Sequence, residues 1–209
     1  SPINRDEIYP GYPQFDRYRH GQENGTHWVA PEVDVSIRPG WYYHPKEDNR
    51  VKSPDSLMKI YVASVGRNSN LLLNIPVDTR GLIHPNDSAS MMGFAELRKK
   101  SLINLLQPSS TKIQVSSTFN AAYSVKYLSD KDPSSAWAPQ VSDAQPSMVI
   151  TLDHAVHSNT LQLQEPIALG QRIKAFSVEI ASENGEKWLI KAKTIGNKRM
   201  LTFPERKVK

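Results

Sequence analysis

The sequence predicts an α/β unit followed by an all-β unit, the second an antiparallel sandwich. Two observations carry this. Before Pro108, two short apolar segments alternate with two segments of helical spacing, the strand–helix–strand–helix order of an α/β fold. After Pro108-Ser-Ser the texture changes to short alternating segments separated by turn residues, the pattern of strands with one wet face.

Residues 1–53 are rich in Pro, Gly, Tyr and charge and show little periodicity. Pro2, Pro10, Gly11, Pro13, Gly21 and Gly25 break them into loops. A loop this long in a compact domain is expected to be functional. Within it, Val33, Val35 and Ile37 alternate as one short strand, ended by Pro39-Gly40. Ser53-Pro54 reads as an N-cap with proline at the first helical position. Leu57, Ile60, Tyr61, Ser64 and Val65 then predict a helix over 54–65, stopped near Gly66. Leu71, Leu72, Leu73 and Ile75, flanked by asparagines and Pro76, predict a strand buried on both faces, as in a parallel sheet. Asp87 is placed to cap a second helix carrying Met91, Phe94, Leu97, Leu102 and Leu105, with its end fixed by Pro108. Later strands are expected over 148–152, 160–163, 176–180 and 188–190, with turns at Glu183-Asn-Gly185 and Ile195-Gly-Asn197.

Composition excludes several classes. The 209 residues suffice for one or two cored domains. Basic residues exceed acidic ones by 26 to 21, a net +5; up to Pro108 the counts are 13 and 12, and beyond it 13 and 9. The excess forms no dense basic stripe, so no nucleic acid partner is expected. Without cysteine there are no disulfides, thiolate metal sites or Cys nucleophile. The six histidines do not fall at metal-ligand spacing, and neither metal nor other cofactor is expected. No apolar run reaches the roughly 18–20 residues of a membrane span. The chain opens on Ser1 with neither an initiator Met nor a signal sequence, so an N-terminal portion is expected upstream.

The chemistry concentrates in Trp28-Val-Ala-Pro-Glu32-Val-Asp34-Val-Ser-Ile-Arg38-Pro-Gly40-Trp41-Tyr-Tyr-His44. Two carboxylates, an arginine, a histidine and two tryptophans are the inventory of a sugar site. Carboxylates move protons or grip hydroxyls, and aromatic faces cover the C–H side of a pyranose. Further on come Ser64-Val-Gly-Arg-Asn68-Ser-Asn70-Leu-Leu-Leu-Asn74-Ile-Pro76 and Asp78-Thr-Arg-Gly81-Leu-Ile83. Three blocks in this order resemble the C-terminal part of the α-L-fucosidases of glycoside hydrolase family 29.

The resemblance implies the C-terminal portion of a (β/α)₈ barrel over 1–108. Its last two strands would lie near 33–37 and 71–75, and its closing helix would run from about Asp87 to Leu106. A whole barrel takes roughly 250 residues, so a missing N-terminal barrel portion of the same protein is an expected partner. The family's nucleophile, an Asp in a Trp-x-Asp-Gly context, is absent here, so this piece alone is expected to be inactive. Residues 109–209 resemble a discoidin-like (galactose-binding-like) β-sandwich, judged truncated. The resemblance rests there on Leu128-Ser-Asp130-Lys-Asp132, Trp137-Ala-Pro139, the Leu161 to Ile173 segment and Ile195-Gly196-x-Lys198-Arg199.

On this template Trp41 is a wall of the fucose pocket, or else a core tryptophan at the barrel rim. Glu32 is an acid/base, a hydroxyl-gripping or supporting carboxylate, or a structural ion-pair partner. Asp34 and Arg38 share a face with Glu32 if the segment is extended, as a clamp on substrate or as an internal salt bridge. Trp28 and His44 are rim residues toward the sugar that bears the fucose. In the sandwich, Trp137 and Arg172 are candidates for an accessory sugar site. The implied substrate is a fucosylated oligosaccharide or glycoconjugate, with an α-1,3/1,4 linkage favoured by the form of the motif. The implied location is extracellular or periplasmic, and the rival reading is a non-catalytic carbohydrate-binding or structural fragment.

Overall fold

The computed structural model describes residues 26–103, 106, 110–130 and 132–209. The loops expected before Thr26 and Pro108 itself lie outside the described residues, but the second helix ends at Ser101, short of the expected Leu106. Val29–Ile103 form one compact unit, and the described residues after them belong to a second, with which Trp28 also groups.

The first unit is α/β. Strand β1 (Glu32–Ser36) pairs in parallel with β2 (Asn70–Asn74), with Glu32 opposite Asn70 and Ser36 opposite Asn74. Between them runs helix α1 (Pro54–Ser64), and after them α2 (Pro85–Ser101). Ser53 caps α1 as expected, its Oγ accepting the Ser56 amide. The cap of α2 differs from expectation. His84 is the capping residue, its Nδ1 accepting the Asn86 amide with Pro85 at the first position. Asp87 stands inside the first turn and is fully buried, for reasons that belong to the site below. Arg98, Lys99 and Lys100 close α2 where its dipole favours cations.

Ile37, Leu57 and Phe94 form the buried centre, with Met58, Tyr61, Leu73 and Met91 packed around it. Tyr61 and Phe94 meet with ring centroids 6.0 Å apart. Strand β2 is not covered on both faces, because Leu72 is 52 % exposed among the described residues. The helices cross closely at Gly93: a Cβ there would lie 2.8 Å from Pro54 Cγ. That ring is rigid, so Gly93→Ala is expected to destabilise the unit by about 1–3 kcal/mol through overpacking. The loss should appear although alanine is the better helix former by about 1 kcal/mol. Denaturant unfolding of the variant checks this, and a rise in stability would show that the crossing relaxes freely.

The second unit is all-β and built from antiparallel pairs. Strand β3 (Thr111–Val115) pairs with β4 (Met148–Leu152), and β5 (Val156–Leu163) with β8 (Arg199–Val208). Strand β6 (Ala175–Ala181) pairs with β7 (Lys187–Lys193) across the turn at Gly185, whose φ of 85° suits glycine. A bridge from Ser182 to Val208 joins this hairpin to β8. The β5–β8 register slips between Ser158 and Thr160, opposite the stretch of β8 that holds Pro204. An irregularity of this kind is where a sheet tolerates proline. Leu152, Ile195, Met200 and Leu201 are its buried apolar residues. The coarse expectation, α/β then β-rich, therefore matches the described residues.

Candidate functional site

The site begins where β1 ends. Beyond Ser36 the chain turns through Pro39-Gly40, and this turn is held from both strands. Ser36 Oγ donates to the Gly40 carbonyl at 2.7 Å. Asn74, last residue of β2, donates through Nδ2 to Ser36 Oγ at 3.1 Å and to the Trp41 carbonyl at 2.8 Å. Lys52 Nζ donates to the Ser36 carbonyl at 2.7 Å. The turn is thus fixed at the carboxyl ends of two parallel strands, the end where α/β folds place their ligands. From it Trp41 stands 51 % exposed, with Tyr42 beside it still more open. His44 is also exposed.

Arg38 goes the other way. Its side chain is 0 % exposed, and Nε donates to both oxygens of the equally buried Asp87, at 3.1 and 2.9 Å. Nη1 donates to Asp48 Oδ1 at 2.9 Å. The guanidinium carbon lies 4.8 Å from the centre of the Tyr43 ring, whose hydroxyl donates to Asp48 Oδ2. Burial pulls the guanidinium pKa down, but hydrogen bonds and attraction from Asp87 and Asp48 outweigh this and raise it overall. The clamp of Glu32, Asp34 and Arg38 does not form. The carboxylates that hold Arg38 come from the start of α2 and from the 3-10 turn Pro45–Arg50. A charge this deep needs counter-charges at hand, and buried Asp87 with half-buried Asp48 supplies them.

Glu32 and Asp34 are exposed and alternate along β1. Glu32 opens the strand and Trp41 follows its far end, so about 13 Å of strand separates their backbones. Trp28, 39 % exposed, groups with the second unit. In that unit Trp137 is half-buried and its indole N–H donates to the Ser117 carbonyl at 2.9 Å, while Arg172 is exposed. Asn74 acts as the strand-end hydrogen bonder that its place beside the apolar run predicts, tying the Trp41 turn to β2. Glu47, which no pattern in the sequence singles out, lies buried beneath Gly40, 3.6 Å from where a Cβ would sit. Among the described residues, Glu47 Oε2 and Arg38 Nη2 have no hydrogen-bond partner. No group of three metal-ligating side chains occurs among the described residues, and no helix there is long and apolar enough to cross a membrane.

The Asp78-Thr-Arg80-Gly81 block is a pinned turn after β2. Asp78 accepts from Arg80 Nε and Nη2 at 3.0 and 2.6 Å and from the amides of Arg80 and Leu82. The Arg80 side-chain hydrogen bonds, helped by the amides, hold its carboxyl at about 2, below the ordinary 3.8. A carboxyl depressed by folding stabilises fully above its unfolded pKa. That contribution is lost as the pH falls from about 4 toward 2. Asp78→Asn should therefore be less stable than the parent at pH 7, with the difference vanishing below about pH 2. Urea unfolding at several pH values measures this.

An exposed aromatic turn held at the carboxyl ends of two parallel strands is the kind of site an α/β fold offers a ligand. Residues 3–99 match the model of the α-L-fucosidase family. Over 97 % of its length the chain is 33 % identical to alpha-L-fucosidase 1 of Arabidopsis thaliana, of which it spans 40 %. The structure superposes with a TM-score of 0.82 on a Ruminococcus gnavus GH29 fucosidase solved in complex with fucose. That match is 27 % identical and covers 90 % of this chain and 38 % of the other. It superposes equally well, at 0.82 and 30 % identity, on SpGH29, covering 99 % of this chain and 45 % of that one. The family match and the relatives agree on the α-L-fucosidases, glycoside hydrolase family 29, and the chain spans about 40 % of the length of the curated relatives it matches.

Proposed function

We propose that this chain is the C-terminal part of a retaining exo-α-L-fucosidase. Residues 1–108 supply the last part of its catalytic (β/α)₈ barrel, and residues 109–209 a discoidin-like accessory sandwich. The reading is carried by the turn that holds Trp41 at the carboxyl ends of two parallel strands, in a segment matching the family model. A barrel enzyme places its substrate at that end. Trp41 covers the apolar face of the fucose, and His44 reaches toward the sugar that carries it. Asp34 and Glu32 line the adjoining strand. Glu32, about 13 Å of strand away from the carboxyl end, serves better as a supporting carboxylate than as the proton donor at the fucosyl bond. Arg38 supports the site from beneath.

In a retaining glycosidase one carboxylate attacks the anomeric carbon and a second protonates the leaving oxygen, the two about 5–5.5 Å apart. The attacking Asp lies in the part of the barrel preceding this chain. The substrate is a fucosylated glycan, with an α-1,3/1,4 linkage favoured by the motif, and the location is extracellular or periplasmic. The 209-residue chain is accordingly expected to hydrolyse no 4-nitrophenyl α-L-fucoside, whereas a protein extended N-terminally through a whole barrel should. Turnover by the short chain would overturn the division of labour. Fucose binding without turnover by the extended protein would favour a carbohydrate-binding module instead.

A further inference from the structure

Imidazole has two ring nitrogens, and in the neutral ring only one of them carries a proton. Neighbours decide which, and at His84 they agree. Nδ1 accepts the Asn86 amide at 3.2 Å, so it holds a lone pair. Nε2 lies 3.4 Å from Asp48 Oδ2, where a lone pair would be repelled by the carboxylate and a proton is attracted to it. The ring is therefore neutral, with its proton on Nε2. Its side chain is 20 % exposed, so water can still reach it to deliver a second proton.

Both ring contacts lead into one cluster. Asp48 Oδ1 accepts from Arg38 Nη1 at 2.9 Å, and Oδ2 accepts from the Tyr43 hydroxyl at 3.3 Å. Asn86 reaches back to the same 3-10 turn, its Nδ2 donating to the Asp48 carbonyl at 2.7 Å. The next residue, Asp87, holds Arg38 Nε from inside the first turn of α2. The Tyr43 and His84 rings lie 6.1 Å apart, centre to centre. The charged and titratable groups around the imidazole are thus Asp48 from the 3-10 turn, Tyr43 and Arg38 from the chain after β1, and Asp87 from α2 itself. Asp78 and Arg80, in the turn after β2, are within electrostatic reach of Tyr43.

We propose that His84 is a pH-operated latch between the start of α2 and the charge cluster that holds Arg38. The latch is closed while the ring is neutral. A proton added at Nδ1 takes up the lone pair that accepts the Asn86 amide, so the cap opens. Nε2 keeps its own proton, and the imidazolium stays beside Asp48. Asn86 and Asp87 are consecutive residues of one helical turn, so freeing the Asn86 amide loosens the segment that anchors Arg38. An asparagine or serine cap accepts its amide at any pH; a histidine makes the cap conditional on its own protonation. The latch needs only contacts within Val29–Ile103, so it stands or falls apart from the fucosidase reading.

Nuclear magnetic resonance on the 15N-labelled 209-residue chain tests this over the range of about pH 8 to 5 in which histidines titrate. At the upper end the His84 ring should show a protonated Nε2 and an unprotonated Nδ1. On acidification the Asn86 amide proton should move upfield with the same midpoint as the ring, because its hydrogen bond is lost. The Arg38 Nε–H should lose protection over the same range, measured against its intrinsic exchange rate at each pH. His84→Asn supplies a cap that does not titrate, so both changes should vanish while the helix remains. A proton on Nδ1 at the upper end would overturn the proposal, as would an Asn86 amide that does not follow the ring. An unresponsive Arg38 Nε–H, or the same two responses in His84→Asn, would overturn it too. The first three outcomes are read on the parent chain, so they decide the matter even where the variant fails to fold.

Discussion

Asp87→Ala is expected to destabilise the Val29–Ile103 unit by about 3–5 kcal/mol, the cost of stranding a buried charge. Arg38 and Asp87 are both 0 % exposed, and Arg38 Nε has both carboxylate oxygens as its acceptors. With the carboxylate gone, Asp48 remains through Nη1, but its own side chain is partly exposed and shared with Tyr43 and His84. The guanidinium would then stay buried with half of its compensation. Replacing both ends, Arg38→Met with Asp87→Ala, removes the stranded charge, and a hydrophobic substitute for a buried pair is often neutral or stabilising. The double variant should therefore recover a large part of the loss, which a double-mutant cycle by urea unfolding measures directly. Losses that simply add would show that the two side chains do not act as a unit.

The local elements were mostly legible, because their signals are local. Alternating Val33, Val35 and Ile37 gave β1, the Ser53-Pro54 cap gave the start of α1, and Gly185 marked the β6–β7 turn. Strand β3 carries the same alternation in Thr111, Ile113 and Val115, but it follows Pro108-Ser-Ser so closely that its signal merges with that boundary. Strand β8 was hidden by Pro204, which reads as a breaker until the register slip gives it a place.

The site was legible only in part. A charged residue in a rich motif looks alike whether it faces a ligand or a partner inside the protein. Arg38 finds its partner 49 positions away, on a helix whose Asp87 looked like a cap. His84 took that cap instead, and Asp87 could then turn inward. What spacing within the motif cannot reveal is which of its polar groups the rest of the chain has already claimed. In this case Arg38 and Ser36 are claimed, whereas Glu32, Asp34 and His44 remain on the exposed side.

Trp41→Ala in the extended enzyme is expected to reduce kcat/KM for fucosides by about 1.5–3 kcal/mol in transition-state binding, roughly ten- to two-hundredfold. The value is that of a large apolar contact removed. Trp41 is half exposed, while its backbone carbonyl is held by Asn74, so truncation should leave the turn standing. That separates it from a core tryptophan, whose loss costs about 3–5 kcal/mol of stability. Urea unfolding of the variant should accordingly show a much smaller change than the kinetics. Glu32→Gln adds the complementary test. A lost proton donor harms substrates with poor leaving groups far more than activated aryl fucosides, since only the former need protonation. A lost grip on the neighbouring sugar likewise harms oligosaccharides and spares aryl fucosides, which lack that sugar. With Glu32 opening β1 and the substrate expected at the other end of that strand, Glu32→Gln is expected to leave kcat/KM close to that of the parent for both substrate types. Were oligosaccharide turnover lost instead, the pH profile would separate the two roles: a vanished alkaline limb of kcat/KM would assign Glu32 as the proton donor, and an unchanged profile would assign it to the neighbouring sugar.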